Sequence, residues 1–262
     1  MTIITLTTDF GLRDGFVGTM KGVIYSIAPE TKIVDISHSI APQNIQEGAF
    51  ILSRAAPFFP TDTIHIFVVD PGVGTQRRPL AARLGEHYFV GPDNGMLTPL
   101  IDDAEQSKKE VEFVHLNNPK YWLPKVSLTF HGRDVFAPVG AHLANGVSLA
   151  ALGPRLNDPV RIELPHPEKT DTGWTAHITG IDVFGNLTTD LPASALQGRI
   201  DILVRLRGCE VDGIVKSYGH KQPGDLIVLI DSEDRLEIAV VNGSAAQKLG
   251  ASVGDVVEVI YR

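Results

Sequence analysis

Val68-Val69-Asp70-Pro71-Gly72-Val73-Gly74-Thr75-Gln76-Arg77-Arg78 is the stretch around which this chain is organised. The run Ile64 to Val69 reads as a strand buried on both faces, and it ends in a carboxylate. Pro71, Gly72 and Gly74 then make a turn, because proline presets one turn dihedral and glycine accepts close backbone approach or positive φ. Two arginines close the turn. In an open α/β sheet ligands gather outside the carboxyl ends of strands, so Asp70 stands where chemistry usually sits. An acid and a guanidinium seven residues apart on one loop also describe an ordinary ion-paired surface turn, and alone that is the better reading. A second stretch, Thr129-Phe130-His131-Gly132-Arg133-Asp134, shifts the balance. It repeats the design of an apolar strand, Val126 to Phe130, running into a polar turn.

The chain has 262 residues, 43% of them hydrophobic, enough for one large core or two modest ones. No window of about 20 apolar residues is available to span a membrane. The start, Met1-Thr2-Ile3-Ile4-Thr5, lacks the basic-then-apolar plan of a signal peptide. A single cysteine, Cys209, rules out an intrachain disulfide framework and fits a reducing cytoplasm. The formal net charge of −8 argues against a nucleic-acid partner while leaving a cationic small molecule open.

Going outward in chain order, Ile3 to Leu6 reads as a strand with Asp9 in the loop at its carboxyl end. Asp9 is equally well explained as a helix cap or turn residue. The apolar spacing of Phe16, Val17, Met20, Val23, Ile24 and Ile27 predicts a helix over 15–28, stopped by Pro29. A short strand follows over 32–36, then a helix over 45–56. Residues 81–84 and 88–90 read as a strand pair, and the turn-rich run 91–97 leads into a short helix. The charged run 102–112 reads as a solvated face or loop. Val135 to Asn145 reads as a helix with Pro138 in its first turn. Alternating strands and helices to about residue 150 predict a parallel or mixed α/β sheet. Domain one is therefore set at 1–155 and a Pro-rich linker at 156–172. A second domain, 173–262, has closely spaced strands and no clear helix, the pattern of a small all-β barrel or sandwich.

Several chemistries lack their seats. There is no His-x-x-x-His or Cys-x-x-Cys, which disfavours a zinc or di-metal hydrolase. No Gly-x-Gly-x-x-Gly, P-loop or Gly-x-Ser-x-Gly occurs. Asp9, Asp70, Arg77 and His131 remain, all on loops after predicted strands. In the second domain, Gly180-Ile181-Asp182-Val183-Phe184-Gly185-Asn186-Leu187 and Asp231-Ser232-Glu233-Asp234-Arg235 each read first as β-turns.

Five motifs in order make a combination. They are Thr7-Thr8-Asp9-Phe10-Gly11, Val69 to Thr75 with Arg77-Arg78, Phe130-His131-Gly132-Arg133-Asp134-Val135-Phe136-Ala137-Pro138, Phe184-Gly185-Asn186 and Leu236-Glu237-Ile238-Ala239-Val240. Together they resemble the S-adenosyl-L-methionine hydroxide adenosyltransferases, relatives of the fluorinating and chlorinating enzymes that use the same substrate. The resemblance implies a homotrimer, each chain having a Rossmann-like α/β domain and a β-barrel domain. It places the substrate where the first domain of one subunit meets the second domain of its neighbour. The implied reaction is attack of water or hydroxide on the ribose 5′ carbon, giving adenosine and L-methionine without cofactor or metal.

By the same resemblance, Asp70, Arg77 and His131 form the catalytic triad and Asp9 grips the ribose. Asn186 reads the adenine edge, Phe184 and Tyr218 stack the ring, and Val240 with Asn242 offers backbone groups to the base. Glu237 lies in the same binding set. Asp182 takes the methionine ammonium, and Ser232 and Glu233 lie where the amino-acid end is held. The halogenating relatives have an arginine where this chain has Glu233, so Arg235 is the candidate for the carboxylate.

The chemistry agrees with this assignment. A sulfonium departs neutral and needs no general acid, so the nucleophile is the difficulty. Asp70 can orient water in line with the departing sulfur, and Arg77 favours hydroxide. His131, with an ordinary pKa of about 6.5, is the better proton acceptor near neutrality. A carboxylate beside the nucleophile repels halide, so water is favoured over a halide-transferring reaction. A non-catalytic adenosine or S-adenosylmethionine sensor is the alternative from another class.

Overall fold

Residues 2–262 are described by a computed structural model and divide into two units, the first ending at Ile162 and the second beginning at Glu163. In the first, β1 (Ile3–Thr8), β2 (Lys32–Ser37), β3 (Ile64–Val68), β4 (Pro79–Leu84), β5 (His87–Pro92) and β6 (Val111–His115) form one sheet in the order β2-β1-β3-β5-β4-β6. The β2-β1-β3-β5 pairs are parallel, and β4 runs antiparallel to both β5 and β6. Four helices cover it: α1 (Phe16–Ile27), α2 (Ile45–Ala55), α3 (Thr98–Gln106) and α4 (Ala137–Ala144).

Alternation along the strands decides the layers. Ile64, Ile66 and Val68 of β3 point into a core shared with Met20 and Ile24 of α1 and Val139 and Ala141 of α4. Phe67 and Val69 point the other way, into a core with Ala49 and Leu52 of α2 and Ile101 and Ala104 of α3. Each of the valine, leucine, isoleucine, methionine and phenylalanine side chains among these, fully buried, is worth about 1.5–3 kcal/mol. The connections from β1 through α1 and from β2 through α2 thus cover opposite faces. That makes the carboxyl ends of β1 and β3 a topological switch point, the place where open α/β sheets form their crevice. The register pairs Thr8 with Val68, so the loops bearing Asp9 and Asp70 leave the sheet side by side.

The first three strands and both early helices lie where the apolar spacing predicts them. Three expectations need correction. The charged run 102–112 holds the end of α3 and the start of β6, an edge strand on which only Phe113 and Val114 are buried. The stretch Val126 to Phe130 is no strand: it is irregular, Leu128 is largely exposed, and Asp134 accepts hydrogen bonds from both the backbone N–H and the hydroxyl of Ser127. The helix after His131 begins as a π-helical turn, Gly132–Phe136, before α4.

In the second unit β7 (Glu168–Lys169), β8 (Gly173–Ile181), β9 (Leu187–Pro192), β10 (Ile202–Leu206), β11 (Cys209–Asp212), β12 (Leu226–Ile230), β13 (Arg235–Val240) and β14 (Val256–Tyr261) form an antiparallel sheet. Its path is β11-β10-β14-β8-β9-β13-β12, with β7 beside β8. The sheet curls into a nearly closed barrel around Ile178, Leu187, Val204, Val228, Ile238 and Val257. A hydrogen bond from the Val215 N–H to the Val228 carbonyl ties the chain after β11 to β12. One helical turn, α5 (Ala245–Leu249), was not expected; Ser244 caps it by accepting the Gln247 N–H.

Candidate active site

Asp70, Arg77 and His131 converge. Arg77 Nε and Nη2 donate to the two oxygens of Asp70 at 3.0 and 2.5 Å, a bidentate fork. Nη2 also lies 3.1 Å from His131 Nδ1. A guanidinium can only donate, so Nδ1 is the acceptor and the neutral ring carries its hydrogen on Nε2. Both members of the ion pair are nearly closed to solvent, with side chains 7% and 5% exposed for Arg77 and Asp70. The guanidinium lies 5.4 Å from the Phe136 ring centroid, and its Nη1 is buried without a hydrogen-bond partner among the described residues. Burial, followed by the charge of Arg77, lowers the pKa of His131, outweighing Asp70, Asp134 and the Ser127 backbone, which act the other way.

Close packing of the two loops explains this convergence. At Gly74, with φ +74°, an added Cβ would sit 2.2 Å from the Leu128 carbonyl oxygen. The Asp70 loop therefore lies directly on the segment leading to His131, at a point only glycine allows. Phe10, Phe16 and Phe130 form an edge-on aromatic trio with centroids 5.1–5.7 Å apart. The trio brings the β1 tip beside the His131 loop. Asp134, fully buried, is held below its ordinary pKa: burial pushes it up, but hydrogen bonds from Arg133 and Ser127 outweigh that. π-Helical turns often mark functional sites, and here Gly132–Phe136 follows His131 immediately.

Asp9 stands at the same sheet edge, its Oδ2 accepting the Gln43 N–H at 2.8 Å. Arg78 goes elsewhere. It bonds Asp93 and Asp158, and Asp93 in turn accepts the Val160 N–H. Its task is to fasten the end of the turn, not to share that of Arg77.

In the second unit, Asp182 Oδ1 accepts the N–H groups of Phe184 and Asn186, and its Oδ2 accepts from the Asn186 side-chain amide at 2.9 Å. The two polar residues of this turn are thus bonded to each other, and Phe184 is left 73% exposed. Tyr218 donates to Glu237 Oε1 at 2.7 Å; burial, then this hydrogen bond, raises the pKa of the phenol. Ser232 and Glu233 lie in the turn before β13, where Asp231 accepts the Glu233 and Arg235 N–H groups. Val240 ends β13, its carbonyl accepting the Gly243 N–H, and Asn242 has the left-handed φ of +52°. Arg235 donates to the Asp190 carbonyl, a structural contact within the barrel.

Two family models cover most of the chain. The SAM hydroxide adenosyltransferase N-terminal domain matches residues 4–153, and the C-terminal domain of the same name matches 176–258. The chain belongs to the SAM hydroxide adenosyltransferase family.

Similar proteins extend over nearly its full length. An (R)-S-adenosyl-L-methionine hydrolase of Salinispora tropica is 39% identical, covering 96% of this chain and 95% of its own. One from Thermus thermophilus is 35% identical, covering 97% and 98%. A fluorinase of Actinoplanes is more distant, 30% identical over 90% of each chain. A solved structure from Thermotoga maritima, described as an uncharacterized conserved protein, superposes with a TM-score of 0.90 at 34% identity, covering 99% of this chain and all of its own.

In this SAM hydroxide adenosyltransferase family member, sequence reading overlooked four residues that shape the first-unit site. Ser127 and Asp134 fold the loop before His131, and Thr8 and His38 lie behind Asp9. Asp134 sits inside a quoted motif, but its burial is invisible without the fold.

Proposed function

We propose that the protein hydrolyses S-adenosyl-L-methionine to adenosine and L-methionine. Water or hydroxide attacks the ribose 5′ carbon as the carbon–sulfur bond breaks. The bonding pair leaves with sulfur, which becomes the neutral thioether of methionine; hydroxide brings the oxygen with its one hydrogen, and the proton lost when that hydroxide formed from water has gone to solvent. No step calls for a metal or redox cofactor, because the sulfonium is already an activated leaving group. The observation that carries this reading is one guanidinium bonded to both Asp70 and His131 at the switch point of the sheet.

This arrangement assigns different work to the three residues. Asp70, clamped at both oxygens, aligns the nucleophile. Arg77 supplies positive charge where hydroxide has to reside. His131 has Nδ1 committed to Arg77, so it serves as an Nε2–H donor toward the nucleophile. The expectation that His131 takes the proton gives way to hydroxide captured from solvent.

The proposal includes a homotrimer, as the resemblance implies, in the reducing cytoplasm that a single cysteine fits, with Asp9, Asp182, Phe184, Asn186, Tyr218, Ser232, Glu233, Glu237 and Val240 contacting substrate. The bond between Asp182 and Asn186 then opens or is shared when ligand arrives. Incubation with S-adenosylmethionine, with adenosine followed by chromatography, tests the reaction. Release above the background of Asp70→Ala is expected; none would overturn it. Formation of 5′-halo-adenosine only with added halide would favour halide transfer. Binding with no product even in a single turnover would mark a sensor.

A further inference from the structure

Behind Asp9 lies a run of polar side chains that the proposed chemistry does not use. Thr8 is wholly buried and His38 nearly so. Thr8 Oγ1 and His38 Nδ1 are 2.8 Å apart, and His38 Nε2 lies 3.1 Å from Asp35 Oδ1 at ion-pair range, off the line of a good hydrogen bond. Lys21 Nζ meets the other Asp35 oxygen at 2.6 Å. At the inner end, Thr8 Oγ1 accepts the Phe10 N–H at 3.2 Å.

Roles follow from the outer end. A carboxylate only accepts, so the His38 proton belongs on Nε2 and Nδ1 is the acceptor. Nδ1 then takes the Thr8 hydroxyl hydrogen, which leaves the Thr8 oxygen to receive the Phe10 N–H. Asp9 lies between the two residues joined by that last bond. The segment after His38 holds the same loop at two further points: the His38 carbonyl accepts the Gly11 N–H at 2.7 Å, and the Gln43 N–H donates to Asp9 Oδ2. Burying an imidazole and a hydroxyl where two apolar side chains would fit is costly unless their bonds are made. Here the imidazole nitrogen Nδ1 holds the hydroxyl, and the hydroxyl oxygen holds the backbone on either side of one carboxylate.

We infer that Thr8, His38 and Asp35 are positioning residues that fix the Asp9 carboxylate for the vicinal hydroxyls of a nucleoside ribose. This rests on the proposed role of Asp9 and adds the device that holds it.

Adenosine and 2′,3′-dideoxyadenosine are the probes, titrated calorimetrically into the wild type, Thr8→Val, Thr8→Ser, Asp9→Ala and the Thr8→Val/Asp9→Ala double variant. Thr8→Val keeps the shape and removes the hydroxyl, so adenosine binding weakens about tenfold and KM rises more than kcat falls. Thr8→Ser restores affinity. Thr8→Val adds nothing in the Asp9→Ala background, and dideoxyadenosine binds wild type and Thr8→Val alike. Equal losses in the valine and serine variants, or additive losses with Asp9→Ala, would overturn the inference.

Asp35→Asn, at the solvent-facing end, guards against a Thr8→Val that does not fold. It should weaken adenosine about two- to threefold, and unchanged affinity counts against the relay. Wild type that binds adenosine but releases none from S-adenosylmethionine overturns the hydrolase reading alone, since adenosine binding still judges the relay. Absence of adenosine binding to wild type overturns both.

Discussion

Arg77 and Arg78 are neighbours with the same side chain, yet one closes the Asp70–His131 cluster and the other ties Asp93 to Asp158. Arg77→Lys should lower kcat about 10²-fold or more, because an ammonium cannot hold both Asp70 oxygens and His131 in a fixed fork. Arg78→Lys should cost less activity and show in thermal unfolding instead; steady-state assays and melting curves of the two variants separate them. The His131 pKa is lowered by burial and by Arg77, so the ring stays neutral at pH 7 and becomes charged only below its ordinary value of about 6.5. The rate of adenosine release should therefore rise with pH through and above neutrality as hydroxide becomes more abundant, with an added loss in acid solution where His131 becomes charged. A rate that levels off and stays flat through and above neutrality would return the role of base to His131. At this scale Asp70 stood out because it ends an apolar run and opens a glycine-rich turn that Arg77 closes, and His131 because glycine follows it; grouping the three as a triad came from the family resemblance. The pairing of Asp182 with Asn186, and the different partners of the two arginines, were not. Both depend on directions that side chains take in space.

Among the elements, the Gly74 turn is the most exacting. Alanine there meets a carbonyl oxygen and a positive φ together, and should cost about 1–3 kcal/mol while moving Asp70 away from His131. Urea unfolding reads the first effect and turnover the second; loss of turnover beyond the loss of stability is expected. Strands and helices with full apolar stripes, such as β1, β3, α1 and α2, were readable because burial of one face dictates their period. β6 was missed because an edge strand with a half-wet face carries charged residues. β11 was missed because four residues, Cys209–Asp212, show no period. Val126 to Phe130 misled for the opposite reason. Its apolar residues look like a strand, while Ser127 and Asp134 satisfy the backbone locally and hold it as a loop.

For the molecule as a whole, acid stability turns on His65 in the middle of β3. It is fully buried, hydrogen-bonded to Thr5, stacked on Phe89 and set against His87, with no hydrogen-bond partner for Nε2 among the described residues. Burial, helped by the charge of His87, lowers its pKa to about 3. The folded value lies below that of the free side chain, so its contribution is complete above about pH 6.5 and is lost as pH falls toward 3, at about 1.4 kcal/mol per unit of pH. Denaturant midpoints of the wild type should drop steeply between pH 6.5 and 4, and His65→Phe should flatten that slope whatever it costs at pH 7. No helix among the described residues is long and apolar enough to cross a membrane. Light scattering at three times the chain mass would support the proposed assembly.

The order β3-β5-β4 has a last consequence. The chain leaving β3 steps over β5 to reach β4, so the stretch from Val69 to Arg78 bridges two strands that are not neighbours. Thr75 and Gln76, at its crest, are exposed. A protease cut there leaves every ladder of the sheet intact but puts Asp70 on one fragment and Arg77 on the other. The nicked protein would then be held at this point by its own ion pair, and its residual turnover would report how far that contact, without the covalent tether, keeps the site in register.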